Sequence, residues 1–330
     1  MHLILLAALA LHIPAQSGAE EYLFRLLAHV SGGFRLQTEE TTGYRGKAGL
    51  ASSFRLKADA TRHRGEPQAE GSKSRLREES VQSAALGRAM KYRVLVPQNY
   101  GTSEQRYPVL YLLHGLDGGH TDWTTRTNLS EYTRTLPLII VMPDGGNSWY
   151  MNATAVPADR YEDYILTDLP SDVVRKYRTI HSRFGRAIAG LSMGGYGALK
   201  MALKRPAAFA VAGSFSGAFS ITREEGIGAR LNATERERIQ RIYGTADGPA
   251  RRENDVYALA ASAKPGATPY LYVDCGTTDF LLEDNRQAIA AISKAGLAYE
   301  YHEVSGAHSW DYWDRRIREF LPVLMKRLAN

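Results

Sequence analysis

The chain is nearly devoid of cysteine. Cys275 stands alone among 330 residues, which excludes an internal disulfide, and its place in an apolar run reads as a buried thiol rather than a reactive one. No apolar stretch reaches the roughly 18 residues that a membrane-spanning helix requires, so no stable span is expected. Histidines at metal-ligand spacing are also lacking. None stand at i, i+4 or as H-x-H, and the acidic residues form no compact set, so neither a metal nor a cofactor is expected. No Gly-rich phosphate loop or dinucleotide fingerprint precedes a helix. The net charge of +6 is modest and scattered, without the aromatic-interleaved basic stripe that a nucleic-acid partner would need. What remains is 44% hydrophobic, enough for a substantial core in one α/β domain.

Three segments differ in character. Residues 1–19 hold an apolar run from Leu3 to Leu11 and small residues at Ser17-Gly18-Ala19, which resembles a secretory signal although no basic residue precedes the run. Export to the periplasm or medium is expected, with the cytoplasm as the alternative. Residues 20–79 are rich in Gly, Ser, Thr, Arg and Glu without a persistent period, and a disordered tail is expected. Phe34-Arg35-Leu36 and Phe54-Arg55-Leu56 begin a near repeat, but two copies do not make a solenoid.

Residues 80–330 read as the folded domain. Strands are expected at Met90 to Val96, Val109 to Leu113, Leu138 to Met142, Arg186 to Ala189, Ala210 to Gly213, Tyr270 to Val273 and Tyr299 to Val304. Helices are expected at Tyr161 to Tyr177, Gly195 to Lys204, Asn285 to Lys294 and Trp310 to Leu328. Buried strands alternating with helices imply an α/β fold, a doubly wound and mostly parallel sheet with helices on both faces. Ligands of such sheets lie beyond the strands' carboxyl ends.

Gly190-Leu191-Ser192-Met193-Gly194 is a G-x-S-x-G between an apolar strand and a helix, the setting of a nucleophile elbow. A serine hydroxyl needs a base, and the base an orienting acid. In α/β-hydrolases these follow the serine in the order acid, histidine. Of nine histidines only His302 and His308 follow Ser192. His302 lies inside a strand, whereas His308 lies on the loop beyond it and is the expected base. Asp279, past the turn at Gly276, is the expected acid, with Glu283 and Asp284 as runners-up that could instead begin the next helix. Asp274, at a strand end, is assigned to structural hydrogen bonds. The developing oxyanion needs donors, and the backbone N–H groups of Met193 and Leu116 are chosen, with His114 holding the Leu116 loop.

Together, Leu112-Leu113-His114-Gly115 with Asp122-Trp123, Pro143 to Tyr150, Gly190 to Leu199, Cys275 to Asn285 and His308-Ser309-Trp310 resemble the putative esterase (esterase D-like) family, in particular its tributyrin esterase and secreted acyl-esterase branch. The resemblance covers about Ser80 to Leu328. It implies the α/β-hydrolase fold, with Ser192 as nucleophile, Asp279 as acid, His308 as base, and a pocket partly walled by Ser220 to Thr268. S-formylglutathione hydrolases, feruloyl and acetyl-xylan esterases and mycolyltransferases share that family and differ in pocket. The expected function is therefore a serine carboxylesterase acting on small-molecule esters with short acyl chains through an acyl-enzyme. An S-formylglutathione hydrolase-like enzyme, a feruloyl or acetyl-xylan esterase, or an acyltransferase of the same fold is the alternative. The charged, helix-prone stretch from Ile221 to Ala263 is expected to form a small lid-like excursion, with Glu235 to Arg238 on a solvated face.

Overall fold

The structure, a computed structural model, describes residues 75–328. The leader expected at 1–19, most of the tail expected at 20–79 and its near repeat lie outside the described residues. Eight strands form one sheet: β1 (Leu76–Ser83), β2 (Arg88–Leu95), β3 (Val109–Leu113), β4 (Ile139–Pro143), β5 (Arg186–Leu191), β6 (Val211–Phe215), β7 (Tyr270–Gly276) and β8 (Tyr299–Val304). Their order is β1-β2-β4-β3-β5-β6-β7-β8. The first two strands run antiparallel to their neighbours and all later pairs are parallel.

All seven expected strands are present with small shifts at their ends. β1 was not expected. Its Arg77, Glu78, Glu79 and Gln82 give no apolar alternation, because it is an edge strand whose pairing partner does the specifying. It forms a hairpin with β2 in register from Leu76↔Leu95 to Ser83↔Arg88, so the sheet begins ahead of the boundary expected at residue 80.

The longer helices are α1 (Leu169–Lys176), α2 (Met193–Lys204), α3 (Ala233–Tyr243), α4 (Leu282–Lys294) and α5 (Trp310–Met325). The helix expected over Tyr161 to Tyr177 is instead three consecutive pieces, with a π-helical turn at Tyr164–Asp168 between Tyr161–Asp163 and α1. Because successive strand residues point to opposite faces, β3 divides cleanly. Val109, Tyr111 and Leu113 join one core with residues of α1, α2 and α4, and Leu110 and Leu112 join the other with α5. The doubly wound α/β arrangement is thus present, with helices on both faces.

From β3 the chain steps outward to β4, then crosses back over β3 to β5 on its other side. The connections after β3 and β5 therefore diverge, and a crevice opens where strand direction of travel reverses.

The helix after β5 is buried on nearly every face, Lys200 included. Lys200 Nζ lies 2.8 Å from Glu162 Oε2, and Lys204 Nζ lies 2.8 Å from the other carboxylate oxygen. Burial alone would push Glu162 up, but the two ammonium groups outweigh it and hold the carboxyl at about 2. Burial pulls Lys200 down to about 8, offset only in part by Glu162.

Since the folded pKa of Glu162 lies below its ordinary 4.5, the stability it contributes is full above that value and is lost as the pH falls towards 2. A shift of that size corresponds to about 3 kcal/mol. The gap in unfolding free energy between wild type and Glu162→Gln, from urea titrations, should be about 2 kcal/mol narrower at pH 3 than at pH 6. A gap that stays constant would show that this carboxylate is not stabilised by its lysines.

Candidate active site

Six loops leave the same edge of the sheet, after β3, β4, β5, β6, β7 and β8, and the site is built from them. At the end of β5 the backbone of Ser192 adopts φ 52° and ψ −116°. A non-glycine residue held there costs about 1–3 kcal/mol. The turn is tied down by its neighbours: Ser192 N–H donates to Phe215 O at 2.9 Å, and Tyr196 N–H donates to Ser192 O at 3.0 Å. Close approach requires glycine at 194, where a Cβ would lie 2.6 Å from His114 O and 2.7 Å from Leu113 O. The exit of β3 thus passes directly against the first turn of α2.

Ser192 Oγ lies 3.0 Å from His308 Nε2. The other ring nitrogen of His308 lies 3.0 and 3.2 Å from the two carboxylate oxygens of Asp279. Asp279 is buried and follows a turn in which its N–H donates to Gly276 O; its Oδ1 also accepts from Leu281 N–H at 2.9 Å. The imidazole is flanked by Phe280, ring centroids 4.7 Å apart, and edge-on by Trp313 at 4.9 Å. Trp313 Nε1–H in turn donates to Ser216 Oγ at 3.3 Å.

The alternatives fall elsewhere. Asp284 accepts from the N–H and hydroxyl of Ser220, Glu283 sits in the first turn of α4 within reach of Gln287, and His302 pairs with Glu300 on β8. Asp274 is a structural acceptor as expected. It takes hydrogen bonds from Tyr312 OH and Arg316 Nε, both at 3.0 Å, inside the α5 face of the core.

Met193 is the first residue of α2, so its N–H is one of those left free at a helix start. The Leu116 N–H meets no acceptor among the described residues, and its loop is held from both sides. Asp117 N–H donates to Asn147 Oδ1 and Asn147 Nδ2–H returns to Asp117 Oδ1, each at 2.7 Å. His114 Nδ1 lies 2.7 Å from Gly115 O, and its Nε2 lies 2.8 Å from Gly145 N. Only a neutral ring with its proton on Nδ1 satisfies both partners, because the carbonyl needs a donor and the amide an acceptor. Burial lowers the pKa of His114 and favours that neutral form. His114 clamps the loop, as expected from the sequence.

Leu116 and Phe280 are among the few large apolar side chains left exposed among the described residues, and Phe280 packs on the imidazole of His308. The excursion between β6 and β7 lines two cavities next to loops of the site, neither of which includes Ser192, Asp279 or His308. Phe280 lines a cavity of about 280 Å³ with Ser220, Arg223, Ile227 and Arg230. Arg238, Arg241 and Ile242 of α3 close a second, of about 250 Å³, against Asn147 and Ser148. The expected solvated face of α3 is modified in one respect: Glu235 completes a capping box with Asn232.

Sequence reasoning missed the supporting residues Ser216, Trp313 and Lys200. Ser216 has φ 51° and gave no sequence signal. Lys200 did give one, as a lone charge inside the apolar run Ala198 to Leu203.

Residues 83–324 match the family described as Putative esterase. Esterase Rv1288 of Mycobacterium tuberculosis is 36% identical over 251 residues, covering 69% of this chain and 54% of its own length, so the chain spans about half of that relative. An acetyl esterase of Caldicellulosiruptor saccharolyticus is 30% identical over 63% of this chain and 79% of its own. Among solved structures, the fluorophosphonate-binding serine hydrolase F of Staphylococcus aureus superposes with a TM-score of 0.66 at 27% identity, over 76% of this chain and 97% of that one. The chain carries the α/β-hydrolase fold and belongs to the putative esterase family.

Proposed function

We propose that this chain is a serine carboxylesterase that hydrolyses small-molecule esters with short acyl chains through an acyl-enzyme on Ser192. The observation that carries the reading is the unbroken contact from Ser192 Oγ to His308 Nε2 and from His308 Nδ1 to Asp279, with the serine held in a strained elbow. Ser192 Oγ attacks the ester carbonyl as His308 Nε2 takes its proton. The oxyanion that forms is received by the N–H groups of Met193 and Leu116, donors fixed in advance of the reaction. Collapse of the tetrahedral intermediate expels the alcohol, which leaves with the proton held by His308. Water then attacks the acyl-enzyme with His308 again as base, and the carboxylic acid is released. Asp279 keeps the imidazole in its Nδ1–H form and stabilises the charge it acquires. The short-chain preference is supported by the acetyl esterase relative.

Ser192→Ala should abolish hydrolysis of p-nitrophenyl acetate and labelling by a fluorophosphonate probe. Asp279→Asn should lower kcat about 10⁴-fold by favouring the wrong tautomer. Hydrolysis that persists in the serine variant would sink the assignment.

In a series of p-nitrophenyl esters, kcat/KM should be highest for acetate to butyrate and fall steeply towards palmitate. Products in the presence of added glycerol should be mainly the free acid. A maximum at long chains would contradict the acyl preference, and dominant ester exchange would make the chain a transferase.

A further inference from the structure

Of the buried groups that the proposed chemistry leaves unused, Lys200 stands out. It is a primary amine without solvent exposure, two turns along α2 from Ser192. A buried ion pair is on its own a weak source of stability, since apolar residues of similar volume do as well or better. What an ammonium supplies and a hydrocarbon cannot is a directed donor. Lys200 Nζ donates to Tyr150 O at 2.5 Å as well as to Glu162, and it touches Met151 Sδ at 3.1 Å.

Tyr150 is an unusual acceptor. Both Trp149 and Tyr150 lie in the left-handed region, at φ 54° and 52°, although neither is glycine. Such a pair persists only where the surroundings over-determine it. The Tyr150 ring lies so close to α2 that a Cβ at Gly197 would come within 2.7 Å of it. Its hydroxyl donates to His114 O at 3.0 Å. The same loop, just upstream, supplies the Gly145 N–H that His114 accepts and the Asn147 amide that pairs with Asp117. Two routes therefore run from the loop gripped by Lys200 to the residues flanking Leu116, one arriving at His114 and one at Asp117.

We propose that Lys200 is a positioning residue for the oxyanion: its donation to Tyr150 O locks the left-handed Trp149-Tyr150 turn, and through Tyr150 and Asn147 that turn sets the place of the Leu116 N–H. The proposal rests on the reading of Ser192 as nucleophile and Leu116 as oxyanion donor. Loss of the lock leaves substrate binding intact and displaces a group that acts only in the transition state.

The test compares wild type, Lys200→Met with Glu162→Gln, Tyr150→Phe, and all three substitutions together, with p-nitrophenyl acetate as substrate and phenylboronic acid as tetrahedral mimic. Pairing the first two substitutions avoids an orphaned buried charge, and circular dichroism checks that each variant folds. The double variant should lose about 10- to 100-fold in kcat with KM within about twofold, and bind the boronic acid correspondingly more weakly. Tyr150→Phe, which removes one hydroxyl, should lose about fivefold in kcat. The triple variant should fall short of the product of the two losses, because both act through one turn. A folded double variant with wild-type kcat, a loss carried by KM, or fully multiplicative effects would overturn the proposal. So would an unchanged Tyr150→Phe, which serves if the double variant does not fold. Ser192→Ala in the same assay separates the two readings. If it is inactive while the double variant is unimpaired, only the role of Lys200 is lost; if it is active, the nucleophile assignment itself falls.

Discussion

The arrangement depends on one close approach. Leu113 and Gly190 stand opposite one another at the carboxyl ends of β3 and β5, and beyond them the backbone of α2 presses on the chain leaving β3 at Gly194. A side chain there would drive the two apart. Because it is absent, the elbow and the loop carrying Leu116 emerge in contact. The remaining parts are added outward along the sheet. β6 supplies the Phe215 carbonyl that receives the Ser192 N–H, β7 supplies Asp279, and the loop beyond β8 supplies His308.

Around this contact the protein buries charge on both sides of the sheet. On the α2 face Lys200 meets Glu162, and on the α5 face Arg316 meets Asp274, with Tyr272 OH as a further partner of the guanidinium. Burial pushes the Asp274 carboxyl up to about 6, and Arg316 and Tyr312 only partly counter it. Both clusters lie beside loops of the site, at Tyr150 and at the end of β7. Each offers directed hydrogen bonds in places where an apolar core would leave the backbone and side chains free to repack.

Much of this was legible in the sequence. The interior strands β3 to β7 read as apolar runs because both of their faces are covered. The elbow, His308 and Asp279 were legible because each is constrained twice, by chemistry and by its place just past a strand. The edge strand β1 was not, since its faces carry Arg77, Glu78 and Glu79 and only pairing with β2 defines it. Nor was the π-helical turn at Tyr164–Asp168, where the pattern of apolar residues remains helical while the hydrogen bonding changes. Lys200 stood out only as a lone charge inside an apolar run. Its meaning depends on Glu162, far away in sequence, and on α2 being covered on every side, which is a fact of packing rather than of local pattern.

The order of the strands also decides how the site would fail. Ser192 stands on a central strand with neighbours on both sides, whereas His308 follows β8, which has one neighbour and mostly half-exposed residues. Stability against opening is lowest at such borders. Fraying of β8 would carry the imidazole away from a serine whose strand remains intact. Amide exchange along β8 should therefore run ahead of exchange along β5, and the Ser192–His308 contact would be lost before the sheet as a whole opens.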